Sequence, residues 1–154
     1  MSDACPCGRG LYQQCCQPLH LGVVTAQTAE QLMRSRYSAF AKHETDYIQK
    51  TTALGQQQAL DMPAIREWSV SNQWLKLEIV QVNEKLDKNH ALVEFKAHFN
   101  DGQQVHIHHE ASHFVKHDGI WYFLDPTTEQ KLTMKQPCVC GSDKKFKQCC
   151  AQFL

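Results

Sequence analysis

The 154-residue chain has no excess of either charge, since 16 lysines and arginines stand against 16 aspartates and glutamates. A balanced chain sets up no global field to recruit nucleic acid or an acidic membrane, so any such binding has to be local. No apolar run approaches the ~20 residues needed to span a bilayer, and the opening residues MSDACPCGRG carry neither a basic n-region nor an apolar h-region. The expectation is a soluble protein that stays in the cytoplasm. Cysteine is also missing from the whole interval between Cys16 and Cys138. All of the thiols sit at the two ends.

At the C-terminal end, Cys138 to Cys150 reads CVCGSDKKFKQCC: two thiols one residue apart, eight intervening residues, then two adjacent thiols. Such a set suits zinc, which takes four thiolates tetrahedrally at ~2.3 Å and has no redox chemistry of its own. Gly141 and Ser142 can turn the backbone sharply between the pairs. The N-terminal end, Cys5 to Cys16, reads CPCGRGLYQQCC, with the same outer pairs, the same glycine after the second cysteine, and Tyr12 where the tail has Phe146. Clustered thiols in a reducing cytosol are metal ligands more often than disulfides. Redox catalysis needs an exposed attacking thiol, whereas each thiol here has a place in a four-ligand set.

Both ends resemble the SEC-C motif, a short zinc-binding element also found at the C-terminus of the preprotein-translocase ATPase SecA. The C-terminal copy matches in CxCGS, the double lysine, the aromatic, Lys147 and the closing CC. The N-terminal copy is one residue shorter between its pairs and carries Arg9, Leu11, Gln13 and Gln14 where the family has serine and lysine. The resemblance implies one or two structural Zn²⁺ ions. Cys138, Cys140, Cys149 and Cys150 form one ligand set and Cys5, Cys7, Cys15 and Cys16 the other.

Between the motifs, QPLHLGVVTA (17–26) has Pro18, Gly22 and no period, and is read as a linker. Thr28 is placed as an N-cap with Gln31 closing a capping box, and apolar spacing predicts a helix from Ala29 to Lys42. Shorter helices are predicted over 45–51 and 63–71, with Pro63 in the first turn. The period then changes to two, predicting strands over 74–82, 91–99, 105–116 and 120–124. Short turns at LDKN, NDG and HDG make them an antiparallel meander. The fold class is α+β: three helices on one face of a four-stranded curved sheet. The parts are an N-terminal cysteine motif (1–18), a linker (19–27), the α+β domain (28–130) and a C-terminal motif (131–154).

LMRSRYSAFAKHETDYI after a knuckle, WLKLEIV, strands ending in WYFLD, and a closing knuckle together resemble the YchJ-like family of small bacterial proteins. That resemblance implies a central domain similar to nuclear transport factor 2, a cone of helices packed in a bent sheet. It implies no activity, because such a fold hosts enzymes, binders and scaffolds alike.

The candidate pocket residues of the cone are Arg34, Arg36, Tyr37, Glu110, Ser112 and Asp125, together with His113 and Tyr122. Strand alternation sets Glu110 and His113 on opposite faces. Either they line a ligand-binding or catalytic pocket, or Arg36 with Glu110, or else Arg34 with Asp125, forms an ion pair closing the cone's mouth. No residue is assigned a catalytic role. His106 and His108 share a strand face and form a weaker metal-chelating candidate. Trp68, Trp74 and Trp121 lie in apolar segments and are read as packing, since a nucleic-acid platform combines aromatics with a basic groove that these strands lack.

From Lys131 to Lys147 the tail has five lysines against one acid, Asp143. Four thiolates around one Zn²⁺ carry a net charge of about −2, which nearby ammonium groups steady. Lys144, Lys145 and Lys147 are also the candidate partner-binding residues. With SecA as the guide, the resemblance implies a chaperone or ribosome surface as the partner. The reading is a zinc-binding interaction or adaptor protein, possible as a homodimer, with no DNA-specific binding and no membrane insertion. The alternative is a small-ligand-binding protein or enzyme using the cone.

Overall fold

The computed structural model describes residues 3–128 and 132–154. Among the described residues four α-helices precede four strands: α1 (Gln17–His20), α2 (Ala29–Lys42), α3 (Thr45–Lys50), α4 (Met62–Ser71), β1 (Gln73–Asp87), β2 (His90–Asn100), β3 (Val105–His117) and β4 (Ile120–Leu124). The sheet is an antiparallel meander in the order β1-β2-β3-β4.

Helix α2 begins where the sequence places it. Thr28 Oγ1 accepts from the Gln31 N–H at 3.0 Å, while the Gln31 side chain accepts from the Gln27 N–H at 2.7 Å, one residue before the cap. The next two orphan donors, the N–H groups of Ala29 and Glu30, are satisfied by the Glu84 carboxylate of β1 at 2.9 and 3.1 Å. A carboxylate there also complements the positive end of the helix dipole. The sheet therefore fixes the helix end as well as its buried face.

Leu32, Met33 and Tyr37 of α2 meet Val93, Phe95, Ala97 and Phe114 on the inner face of the sheet. Strand β1 runs five residues past its predicted end at Val82. Register irregularities between Trp74 and Lys76, Ile79 and Gln81, and Asn83 and Asp87 break its alternation. Bulges of this kind bend a strand, so the same feature that blurred the sequence signal curves the sheet into a cone. The 17–26 segment is not wholly linker: α1 occupies its first four residues, with Leu19 and His20 buried. A four-residue helix starting at Gln17-Pro18 is too short to show a period.

Segment 51–53 lies along the β4 edge. Thr52 forms a parallel bridge with Phe123, and the Ala53 N–H donates to the Phe123 carbonyl at 2.8 Å. The edge is thereby covered. The two cysteine motifs dock on different layers. The N-terminal one packs against α2, and the C-terminal one against the outer face of the sheet beside Val115, Leu124 and Tyr122.

Candidate metal centres

The two motifs are built alike. In each, one antiparallel bridge sets the frame, Ala4 with Leu11 and Pro137 with Lys145. A 3-10 turn, Tyr12–Gln14 or Phe146–Gln148, then delivers the closing cysteine pair. Gly8 (φ 89°) and Gly141 (φ 88°) follow the second cysteine in the left-handed region that glycine occupies without penalty. Tyr12 and Phe146 are both buried beneath the clusters. The difference in length lies in the loop: the Cys5 N–H reaches the Gly10 carbonyl at 2.7 Å, whereas the Cys138 N–H reaches Lys144 at 2.8 Å. The N-terminal motif loses its residue without disturbing the ligand frame.

Within each cluster the four sulfur atoms all lie within 4.8 Å of one another. Cys7 and Cys15 stand 3.5 Å apart and Cys15 and Cys16 3.9 Å. Cys140 and Cys149 stand 3.5 Å apart and Cys149 and Cys150 3.7 Å. Four thiolates at ~2.3 Å from a tetrahedral ion are ~3.8 Å from one another, so the spacing fits a tetrahedral thiophilic ion. All eight thiols are free, and these separations are far beyond a sulfur–sulfur bond. Left to themselves, the thiols cannot all ionise. Hydrogen bonds from Cys16 and Cys7 hold Cys5 well below the usual thiol range, while its bond to Cys5 pushes Cys16 far up. Burial pushes Cys15 up to about 12. The C-terminal set behaves likewise: hydrogen bonds from Cys138 and Cys150 lower Cys140, and burial raises Cys149 to about 11. A divalent cation relieves this conflict by stabilising every thiolate at once.

The domain supplies supporting groups that the sequence did not single out. Ser38 Oγ of α2 lies 3.2 Å from Cys5 Sγ. Buried His20 takes the Tyr12 hydroxyl on Nδ1 at 2.7 Å, with Nε2 2.8 Å from the Ser35 carbonyl, and so ties the N-terminal turn to α2. At the other centre, Asp87 accepts from His90 Nδ1 at 2.8 Å, and His90 Nε2 lies 3.3 Å from Cys150 Sγ. The Phe153 ring stacks on His90 with centroids 4.3 Å apart. His90 and Cys150 are 60 residues apart, so local spacing carried no signal for the pair. Removing a group that orients a ligand costs about 10- to 100-fold in metal affinity. In protein loaded with metal at both clusters, His90→Ala is expected to weaken the C-terminal cluster's hold on its ion against a competing chelator by about that factor, with the N-terminal cluster as internal control.

His20 gives a pH prediction. Burial lowers its pKa below the ordinary imidazole value. The unfolded chain then binds more protons, so the contribution of His20 is present above its unfolded pKa of ~6.5 and is lost as pH falls through the lower folded value. His20→Gln is expected to flatten the decline of melting temperature between about pH 6.5 and 5 relative to the parent.

The other candidate residues divide. Arg36, Tyr37, Glu110, Ser112 and Asp125 border one cavity of about 260 Å³ inside the cone. Arg34 does not: it donates to the Cys7 carbonyl at 2.8 Å and pairs with Glu30 at 2.9 Å, supporting the N-terminal motif. His113 faces outward beneath Phe153, with ring centroids 5.3 Å apart, and Tyr122 packs on the C-terminal cluster. Neither expected ion pair forms; among the described residues no bridge joins Arg36 to Glu110 or Arg34 to Asp125. His106 pairs with Asp101 and His108 with Glu110, and among the described residues the two cysteine sets are the only groups of three or more such side chains placed so that they could hold a metal ion. Trp68 and Trp74 belong to an aromatic cluster with Phe40 and Phe99, and Trp121 is buried. Lys144, Lys145 and Lys147 are exposed on the C-terminal motif, while Lys131 lies outside the described residues. Among the described residues no helix is long and apolar enough to cross a membrane.

Comparison with known proteins agrees with this architecture. The family model described as "YchJ, middle NTF2-like domain" matches residues 28–126, and the SEC-C motif matches 134–152. A UPF0225 protein of Actinobacillus succinogenes is 46% identical, with all of both chains covered. The crystal structure of a SEC-C motif containing protein from Psychrobacter arcticus superposes with a TM-score of 0.90 at 45% identity, covering 99% of this chain and 97% of that one. The solution structure of a SEC-C motif containing protein from Rhodopseudomonas palustris gives 0.73 at 37% identity, over 80% and 96%.

Proposed function

The chain belongs to the YchJ family, with its NTF2-like middle domain and SEC-C motif, and from that premise we propose that both cysteine sets hold structural zinc and that the C-terminal centre presents a docking surface to a macromolecule. The observation that carries the reading is two closed sets of four thiols, each within 4.8 Å, docked on a folded domain. Closed four-thiolate sites suit structural zinc, since a catalytic site keeps a position open. Loaded thiolates need reduced cysteines, which supports a cytoplasmic location.

Lys144, Lys145 and Lys147 surround the C-terminal centre, exposed and without an ion-pair partner among the described residues. Ammonium groups fixed on a rigid metal-bound loop favour an anionic surface such as an acidic protein face or ribosomal RNA, with binding that weakens as salt rises. The test compares capture from lysate at low salt by the wild type and by K144E/K145E/K147E with unchanged metal content. Loss of ribosomal or chaperone partners in the variant supports docking; identical partner sets refute it. A homodimer is the other assembly considered. The outer sheet face carries charged Lys76, Glu78 and Lys96 beside exposed Ile107, and light scattering at working concentration decides the point.

A further inference from the structure

The cone contains a site that the metal centres do not use. Its cavity of about 260 Å³ is slightly smaller than the ~300–1,000 Å³ of drug-sized sites, a size that suits a small metabolite. Phe40, Trp68, Trp74 and Phe95 supply an apolar wall, and Arg36, Glu110 and Asp125 also border the space.

Arg36 is 7% exposed, and its donors are unevenly used. Nη1 donates to the Ile48 carbonyl at 2.9 Å and to Thr51 Oγ1 at 2.7 Å, with Thr52 Oγ1 at 3.4 Å. The guanidinium carbon sits 4.4 Å over the Phe123 ring. Nε and Nη2, with three N–H donors between them, have no acceptor among the described residues. Leaving such donors buried and unpaired is costly. Burial lowers the Arg36 pKa to about 10, so the group remains cationic at neutral pH.

The two carboxylates are differently placed. Glu110 accepts from Ser112 Oγ and faces His108 Nε2 at 3.3 Å. Asp125 uses Oδ1 for the N–H and hydroxyl of Thr127, at 2.8 and 2.6 Å, and its Oδ2 has no partner among the described residues. The fully buried Gln56 side chain clamps the Asp125 backbone on both sides, donating to its carbonyl at 2.9 Å and accepting from its N–H at 3.0 Å. Asp125 is thus held in place beside the cavity, with one carboxylate oxygen unpaired among the described residues. Neither carboxylate pairs directly with Arg36, although both act on its charge.

We propose that the cone binds a free α-amino acid with an apolar or aromatic side chain. Its carboxylate is taken by Arg36 Nε and Nη2, its ammonium by Asp125 and Glu110, and its side chain lies against Trp68, Trp74 and Phe40. A monocarboxylate alone leaves two carboxylates facing an anion, and a simple amine leaves the Arg36 donors unpaired. The zwitterion satisfies both at once. This goes beyond the reading of the metal centres and does not depend on it.

The test titrates full-length, metal-loaded protein with L-phenylalanine and L-leucine, and with 3-phenylpropanoate and phenethylamine, which lack the ammonium and the carboxylate respectively. Calorimetry and the fluorescence of Trp68 and Trp74 report binding. The expected result is saturable amino-acid binding, at least about tenfold weaker for either truncated analogue, since phenethylamine leaves the buried Arg36 donors unpaired and 3-phenylpropanoate brings its carboxylate beside Asp125 and Glu110 with no ammonium between them. Asp125→Asn, whose backbone clamp is untouched, weakens the amino acids by a similar factor and leaves 3-phenylpropanoate unweakened; Arg36→Lys lowers affinity with the metal content unchanged. No saturable binding at millimolar concentration, or either analogue binding as tightly as phenylalanine, overturns the proposal. So does an Asp125→Asn protein that binds phenylalanine like the parent, a result that stands even if the Arg36 variant does not fold.

Discussion

A Cys150→Ser protein is expected to melt about 10 °C below the parent in a single cooperative transition, because the C-terminal centre is part of the domain. Cys150 is fully buried, and its sulfur meets His90 of β2, whose ring is covered by Phe153. Val139, Cys138 and Cys140 form one apolar cluster with Val115 of β3 and Leu124 of β4. With the proposed ion in place, removing one ligand releases it and loosens that cluster. A loss of ~3–5 kcal/mol, at ~2–4 °C per kcal/mol for a chain of this size, gives the stated shift. Calorimetry checks it. An unchanged transition would mean that the motif is an independent tail.

Gly55→Ala separates docking from metal binding. The Gly55 N–H donates to the Val139 carbonyl at 2.6 Å. A Cβ at position 55 would stand 2.8 Å from Val139 Cα and 2.9 Å from its oxygen, and backbone atoms have no rotamer by which to move away. Relief requires the 54–59 turn and the C-terminal motif to move apart. Overpacking of this kind costs ~1–3 kcal/mol, and losing the hydrogen bond adds ~1 kcal/mol. The expected protein melts roughly 5–10 °C lower yet keeps both metal ions, because no ligand is touched. Unchanged stability would show that the motif is not held against Gly55.

Much of this architecture was legible from local rules. Thr28 and the spacing of Leu32, Met33, Tyr37 and Phe40 place α2 to the residue, and the IWYFL run places β4 likewise. The cysteine ligand sets are adjacent in sequence, so spacing alone assembles them. Arg34 was misplaced although a signal was present. Residues two apart on a helix point about 200° away from each other, so Arg34 and Arg36 cannot share a cavity. The strand rule of two sorts Glu110 and Ser112 from His113 correctly. His20 and His90 were invisible for a different reason, since each acts through a partner brought in by tertiary packing. A buried histidine between polar partners looks like any other histidine in sequence.

The most direct measurement is the metal content of untagged protein, by elemental analysis, for the parent, for Cys149→Ser/Cys150→Ser and for Cys15→Ser/Cys16→Ser. The account predicts close to two zinc ions per parent chain and one in each double variant. A parent protein purified under reducing conditions with no thiophilic metal, or with one ion that survives both double substitutions, would contradict it.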